Sequence, residues 1–177
     1  RIVAVGTYYD ARISYPERLV LELLQDGKRA SPGSVALNHT LLESSDGAVL
    51  QFRGPDGQDH AFRPRLVVNA AGPWIDRVNA MLGEPTRLIG GTKGSHILLD
   101  HPALVRALNG RMIYFEADDG RICLVFGHLG KALVGSSDMR ADDPDDVRCE
   151  DAEIDYFIDS LRSLLPGLTF DKDQIVF

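Results

Sequence analysis

The chain is poor in cysteine and has no long apolar run. Only two of its 177 residues are cysteines, Cys123 and Cys149, and their separation matches neither a CxxC pair nor a zinc-ligand spacing. This excludes a disulfide framework and favours a reducing, cytoplasmic compartment. No apolar stretch approaches the ~18 residues that a membrane span requires. No signal-peptide pattern opens the sequence, which begins at "RIVAV".

Excess positive charge is also missing. The net charge is −7 and the isoelectric point is about 5.1, which argues against non-specific nucleic-acid binding. The acidic run "RADDPDDVRCED" lacks the spacing of a calcium loop, and Pro144 interrupts it, so we expect a solvated loop and no metal site. There is no GxSxG, P-loop or HExxH motif. These absences exclude several common classes of hydrolase and NTPase.

Strand patterns dominate the chain. The apolar residues 1–9 and the run "SVALN" predict strands, and Asp-Gly turns predict hairpins after "TLLES" and "AVLQFR". The continuous apolar run 66–68 predicts a strand buried on both faces. From Arg87 onward the pattern predicts an antiparallel sheet with strands in "GSHILLD", "RMIYFEA", "RICLVFG" and "KALV".

Three helices are predicted between these strands. The first starts at Pro16 and is expected to end at Gly27, the second covers 74–82, and the third spans roughly 150–165 with an apolar stripe on one face. Strands and helices together predict an α+β or mixed α/β fold.

Three short stretches carry candidate chemistry. "VVNAAGPW" ends a predicted strand in small residues, which would let a ligand approach the backbone or simply form a tight turn. In "TKGSH", Lys93 is suited to phosphate or carboxylate, and His96 to proton transfer near neutral pH. The structural alternative is that Lys93 is solvated and that His96 is a hydrogen-bonded histidine in a strand. "GSSD" would hold ligand hydroxyls or satisfy its own backbone.

Taken together, these stretches resemble one family. "RLVVNAAGPWIDRV", "KGSHILLD", "GSSD" and "DDPDDVRCEDAEIDYFIDSLRSLLPGLTFDKDQI", with the early "YYDARISYPERLVLELL", resemble the aerobic, FAD-dependent glycerol-3-phosphate dehydrogenases of the D-amino-acid oxidase superfamily. The resemblance runs in order over nearly the whole chain. "VVNAAGPW" is similar to the superfamily in general, whereas "KGSH" followed by "GSSD" is more specific to the glycerol-phosphate branch.

The resemblance implies two interleaved domains. Residues 16–78 would form part of an FAD-binding domain, and residues 1–15 with 79–177 would form an antiparallel-sheet substrate (cap) domain with flanking helices. It implies that Leu42 passes the adenine end of FAD and that Ala71, Gly72 and Trp74 lie near the flavin.

The substrate side follows from the same resemblance. His96 would line the substrate pocket and is the candidate base that removes the hydroxyl proton. The expected substrate contacts besides His96 are Lys93, Ser136, Ser137 and Asp138. Ser137 stands at the hydroxyl position of the family's "GTTD" turn, where this chain has Ser-Ser instead of Thr-Thr.

The implied reaction is oxidation of sn-glycerol 3-phosphate to dihydroxyacetone phosphate, with hydride transfer to FAD and electron transfer to a quinone. Peripheral association with the inner face of the membrane and a homo-oligomer remain open. One alternative is a related flavoenzyme that acts on another hydroxy or amino acid. The other is a non-catalytic binding fragment.

Two family segments are missing from these 177 residues: the GxGxxG loop that holds the FAD pyrophosphate, and an arginine-bearing "GxRP" segment that contacts the substrate phosphate. Since the sequence also opens without Met and stops in a strand-like run, we expect a middle fragment of a longer enzyme. Such a fragment should not hold FAD tightly and should be inactive by itself.

Overall fold

A computed structural model describes residues 2–177 of the chain. The chain divides into two compact units, Arg1–Val67 and Val68–Phe177. The mixed α+β class predicted from the sequence is confirmed, with antiparallel sheets and flanking helices in both units. The finer division into 16–78 and the interleaved remainder stays a prediction.

The first unit contains one helix and a three-stranded antiparallel meander. Both predicted hairpins are present, and each turn has a glycine with positive φ, Gly47 at 88° and Gly57 at 76°. These φ values lie in the region that residues with a Cβ avoid, which explains the Asp-Gly sequence of each turn. The elements are α1 (Pro16–Ala30), β1 (Leu41–Ser45), β2 (Leu50–Arg53) and β3 (Asp59–Phe62).

Helix α1 runs beyond the end predicted for it. It continues three residues past Gly27 and closes with a hydrogen bond from the Ser31 N–H to the Gly27 carbonyl at 2.9 Å. A glycine in an exposed helix costs only about 1 kcal/mol, and Lys28 and Arg29 in the last turn complement the helix dipole. The predicted stop at Gly27 was therefore wrong.

The second unit is built around a four-stranded antiparallel sheet. A 3-10 turn, Gly72–Trp74, leads into the first helix of this unit. The strand order in the main sheet is β5-β8-β7-β6, and β4 pairs with β9 in a separate two-stranded ladder. The elements are α2 (Ile75–Met81), β4 (Thr92–Lys93), β5 (His96–Leu99), α3 (Pro102–Leu108), β6 (Met112–Glu116), β7 (Ile122–His128), β8 (Lys131–Gly135), β9 (Met139–Arg140) and α4 (Asp151–Leu164).

The core of this unit lies between the main sheet and helices α3 and α4. Alternate residues of β5, β7 and β8 face it, as the period of two in an extended strand requires. Phe157 and Leu161 on α4 are 0% exposed and fill the space above these strands. The cluster consists of Ile97, Leu99, Leu104, Leu108, Val125, Ala132, Val134, Phe157, Ile158, Leu161 and Phe170.

The end of the chain completes the sheet edge beside β5. The Leu98 N–H donates to the Phe177 carbonyl at 2.8 Å, and the Val176 N–H donates to the Leu98 carbonyl at 2.8 Å. The predicted strand-like ending is confirmed only for residues 175–177, which pair with β5, because Lys172–Gln174 forms a 3-10 turn. The predicted strands in the main sheet and the helices at 74–82 and 150–165 are confirmed, whereas α3 was missed by the sequence patterns.

Three predicted strands are absent from the described residues. No strand forms in 2–9, with residue 1 outside the described part, and none forms in "SVALN". The run 66–68, expected to be buried on both faces, forms no strand, and Leu66 and Val68 are 80% and 81% exposed. An apolar run becomes a strand only where a neighbouring strand pairs with it, and residues 2–177 supply no neighbour for these three.

Within residues 2–177, every helix is too short or too polar to cross a bilayer.

Candidate functional site

A broad cleft in the second unit collects several of the residues singled out from the sequence. Its volume is about 820 Å³, and Trp74, Lys93 and His96 all line it. They arrive from three places: the 3-10 turn before α2, strand β4 and the start of β5. A volume of this size is in the range of small-molecule sites.

One wall of the cleft is held by the acidic loop after β9. The Trp74 indole N–H donates to Asp145 Oδ1 at 2.7 Å, and the Arg77 guanidinium bridges Asp145 and Asp143, the latter at 2.7 Å. These bonds lower the pKa of the Asp145 carboxyl and raise that of Arg77. The acidic run is therefore partly a brace for the turn that carries Trp74. The sequence prediction of a merely solvated loop missed this role.

The cleft lining also contains a guanidinium that forms no ion pair within residues 2–177. Arg87 lines the cleft and is exposed, and it forms no ion pair with any residue in 2–177. Asp76 accepts from the Thr86 hydroxyl at 2.7 Å and from the Leu88 N–H at 2.8 Å, and so contacts both neighbours of Arg87. These hydrogen bonds and the nearby charge of Arg87 lower the pKa of Asp76. Within residues 2–177, the charge of Arg87 is therefore not neutralised by a direct ion pair.

His96 lies at the first position of β5, opposite Gly135 of β8. A Cβ at Gly135 would stand 2.2 Å from His96 Cδ2 and 2.7 Å from its Cγ, so the imidazole rests directly on the glycine backbone. Partial burial lowers the pKa of His96 below its ordinary 6.5. The imidazole is therefore neutral at physiological pH and able to accept a proton.

Lys93 is committed to a buried ion pair. Its side chain is 9% exposed, and its Nζ lies 2.7 Å from Glu153 Oε2 and 3.2 Å from Glu150 Oε1. The hydrogen bond to Glu153 raises the pKa of Lys93. A third acceptor, the Arg148 carbonyl, also binds the ammonium, so its three N–H groups all have partners within the chain. The prediction that Lys93 contacts substrate stays a prediction.

The residues of "GSSD" have different surroundings. Ser137 is buried at 5% exposure, accepts from the Ser95 N–H at 2.8 Å and donates to Glu153. The Ser136 carbonyl lies 3.8 Å from Cys123 Sγ, and the Asp138 carbonyl accepts from Arg121 at 3.1 Å. The cleft lining does not include Ser136, Ser137 or Asp138. The predicted contacts of these residues with substrate remain predictions.

The expected cofactor residues fall in both units. Leu42 is half-buried in β1 of the first unit, where it pairs with Phe52. Ala71 and Gly72 belong to the second unit and precede the cleft-lining Pro73 and Trp74.

Sequence reasoning missed Glu153, Gly135 and Arg87. Glu153 could not be singled out, because an exposed and a buried carboxylate look alike in sequence. Gly135 lay in the quoted motif, but only the strand register shows which ring it faces. Arg87 had no motif around it.

Comparison with known proteins shows that the chain is similar to FAD-dependent oxidoreductases. The profile of the DAO family, described as FAD dependent oxidoreductase, matches residues 1–176. The glycerol-3-phosphate dehydrogenase of Synechocystis sp. is 32% identical over 190 residues, which cover 96% of this chain and 33% of that protein. The aerobic glycerol-3-phosphate dehydrogenase of Staphylococcus epidermidis is 28% identical and covers 96% of this chain and 31% of its own length.

A solved structure shows the same architecture. The glycerol-3-phosphate dehydrogenase from Bacillus halodurans, complexed with FAD, superposes with a TM-score of 0.72 at 26% identity, covering 89% of this chain and 33% of that one. The chain therefore spans about a third of the length of the curated relatives it matches.

Proposed function

Because the chain belongs to the DAO family of FAD-dependent oxidoreductases, we propose that it forms the substrate side of an enzyme that oxidises glycerol 3-phosphate to dihydroxyacetone phosphate. The observation that carries this proposal is the shared cleft, lined by the imidazole of His96 and by the guanidinium of Arg87, which forms no ion pair within residues 2–177. Glycerol 3-phosphate needs both groups, one for its hydroxyl proton and one for its phosphate.

The described residues are compatible with a flavin beside this cleft. Gly72 has φ of +55°, and a Cβ placed there would meet nothing within 4 Å, so bare main chain is accessible next to Trp74. Ala71, Gly72 and Trp74 would hold the flavin end of FAD, and Leu42 the adenine end. When bound, FAD supplies the hydride acceptor, and a quinone is the proposed final electron acceptor.

His96 is the proposed base. Its neutral imidazole would accept the proton of the substrate hydroxyl as the C2 hydrogen leaves with its electron pair. The lowered pKa keeps the ring unprotonated at neutral pH, and its support on Gly135 restricts where the ring can lie. Proton removal makes the alcohol carbon a better hydride donor.

Arg87 is the proposed phosphate contact in this chain. The cleft-lining cations Arg77, Arg140 and Arg148 each form an ion pair with an aspartate, so their charge is partly neutralised. Arg87 has no such partner in residues 2–177, and a guanidinium can bind phosphate through two parallel hydrogen bonds. We place the phosphate at Arg87. The further substrate contacts proposed from the sequence are Lys93, Ser136, Ser137 and Asp138.

Replacement of His96 tests the proposal in the flavoprotein that contains this chain. We expect His96→Ala to lower kcat by about 100-fold to 10,000-fold, the range for loss of a positioned acid or base. In the unsubstituted enzyme kcat/KM should fall as pH drops below 6.5, because protonation of His96 removes the base, and this acid limb should vanish in the variant. His128→Ala, a half-buried histidine at the end of β7, is the matched control.

Unchanged turnover of His96→Ala at every pH would remove His96 from this role. Assays with a panel of substrates distinguish glycerol 3-phosphate oxidation from the two alternative functions. Preference for a hydroxy or amino acid without phosphate would indicate another flavoenzyme of the family. Absence of turnover on every such substrate would indicate a binding module.

A further inference from the structure

A buried polar cluster adjoins the cleft through Lys93, and the contacts within it suggest a role other than substrate contact. It consists of Lys93, Ser137 and Glu153, whose exposures are 9% and 1% for the lysine and glutamate side chains and 5% for the serine. Burial of the Glu153 carboxyl opposes its ionisation, but hydrogen bonds from Lys93, Ser137 and the Glu150 N–H lower its pKa to about 2. A fully satisfied network of this kind is rigid.

The cluster joins three segments that are distant in sequence. Glu153 Oε2 accepts from Lys93 Nζ at 2.7 Å and from the Glu150 N–H at 2.9 Å, and Glu153 Oε1 accepts from the Ser137 hydroxyl. The first turn of α4 thereby holds both β4 and the loop after β8. A buried ion pair adds little net stability compared with an apolar replacement, so the presence of this one calls for another reason.

The same cluster reaches the residue before His96. The Ser95 N–H donates to the Ser137 hydroxyl at 2.8 Å, so the cluster binds the side chain of Lys93 and the backbone of Ser95. The backbone of Lys93 itself pairs with Met139 in the β4–β9 ladder. Gly94, between them, lies so close to the loop that a Cβ there would stand 3.0 Å from the Ser137 carbonyl oxygen. The backbone entering His96 therefore has little freedom.

Gly135 fixes the other side of His96. It is the register partner of His96 across β5 and β8, and the imidazole occupies the space where a Cβ of residue 135 would be. The imidazole of His96 thus packs against Gly135, while the preceding residue, Ser95, is hydrogen-bonded to the cluster.

We propose that Lys93, Ser137 and Glu153 are positioning residues that hold the backbone ahead of His96, so that its imidazole rests on Gly135 and faces the cleft. This inference rests on the proposed function, because it assigns the cluster to the orientation of the proposed base. It differs from the substrate-contact role that the sequence predicts for Lys93 and Ser137.

The test uses Ser137→Ala, with Ser137→Thr as the conservative variant. Alanine removes the hydroxyl that joins Ser95 to Glu153, whereas threonine keeps it. Ser160→Ala is the matched control, because Ser160 lies on α4 and is buried to a similar extent, at 7% exposure. If Ser137→Ala does not fold, Glu153→Asp replaces it, since it keeps the charge but shortens the reach to Lys93 and Ser137.

The first measurement is structural and needs no flavin. In the unsubstituted 177-residue chain we expect a nuclear Overhauser effect between the His96 ring proton on Cδ2 and the α-protons of Gly135. It should weaken in Ser137→Ala, with the pKa of His96 rising toward its ordinary value, and persist in Ser137→Thr and Ser160→Ala. Absence of this contact in the unsubstituted chain, or its persistence in Ser137→Ala, would overturn the proposal.

The second measurement is kinetic and separates positioning from substrate contact. In the flavoprotein, misplacement of the base should lower kcat by about ten- to hundredfold with KM nearly unchanged. A rise in KM alone, with the His96 contact intact, would mean that Ser137 touches substrate and would refute the positioning role. Failure of the proposed function would be recognised by a different result. In that case His96→Ala would retain turnover, whether or not the nuclear Overhauser effect between His96 and Gly135 is observed.

Discussion

Removal of the Glu153 charge probes the most buried ion pair in the second unit. The pKa of Glu153 is about 2 in the folded chain against an ordinary 4.5. This difference corresponds to about 3 kcal/mol of folding free energy at neutral pH. Glu153→Gln would leave the Lys93 ammonium buried without its main counter-charge, and breaking a buried pair in this way costs a similar amount. We therefore expect a loss of about 3 kcal/mol in the free energy of unfolding.

Urea unfolding followed by tryptophan fluorescence measures this loss. The chain has one tryptophan, Trp74, which lies in the same unit as Glu153, so its signal follows the unit of interest. With a urea dependence of about 2 kcal/mol per molar, the midpoint should fall by about 1.5 M. Glu150→Gln is the control: Glu150 also faces Lys93, but its side chain is 58% exposed, and an exposed pair contributes less than about 1 kcal/mol.

The pH dependence supplies an independent check of the same reasoning. Because the folded pKa of Glu153 is depressed, its contribution is complete above pH 4.5 and is lost as pH falls toward 2. At pH 3 about 2 kcal/mol of it should be gone, so the gap between Glu153→Gln and the unsubstituted chain should narrow to about 1 kcal/mol. Equal stability of Glu153→Gln and Glu150→Gln at pH 7, or a gap that does not change with pH, would refute the assignment.

Three further outcomes are expected. Arg87→Ala should raise KM for glycerol 3-phosphate by about ten- to hundredfold with kcat little changed, because a charged hydrogen bond to phosphate contributes about 1.5–3 kcal/mol. The control is Arg111→Ala, at an exposed arginine that does not line the cleft, and it should leave KM unaltered. Phe157→Ala should lower the free energy of unfolding by about 3–5 kcal/mol in the urea assay, since Phe157 is 0% exposed in the core. The 177-residue chain mixed with FAD should remain colourless after gel filtration, because its sequence has no GxGxxG loop, and a stoichiometric yellow protein would contradict that expectation.

Much of the local structure could be predicted because it depends on neighbours in sequence. The Asp-Gly turns needed a glycine at positive φ, and both hairpins formed. The apolar stripe of α4 has helical spacing, and this helix spans Asp151–Leu164, close to the predicted 150–165. The run 66–68 shows the limit of such patterns: its apolar residues favour a strand, but the described residues offer no partner strand, and the run stays exposed.

The sequence by itself determined the fold class, most strands and helices of the second unit, and the family, because these follow from short-range periodicity and from motifs in a fixed order. Only the tertiary structure decided what the motif residues touch. Lys93 is sixty positions from Glu153, and His96 is far along the chain from Gly135, yet each pair is in contact. The physical reason is that strand register and the docking of α4 on the sheet set these distances, and both result from the packing of the whole core.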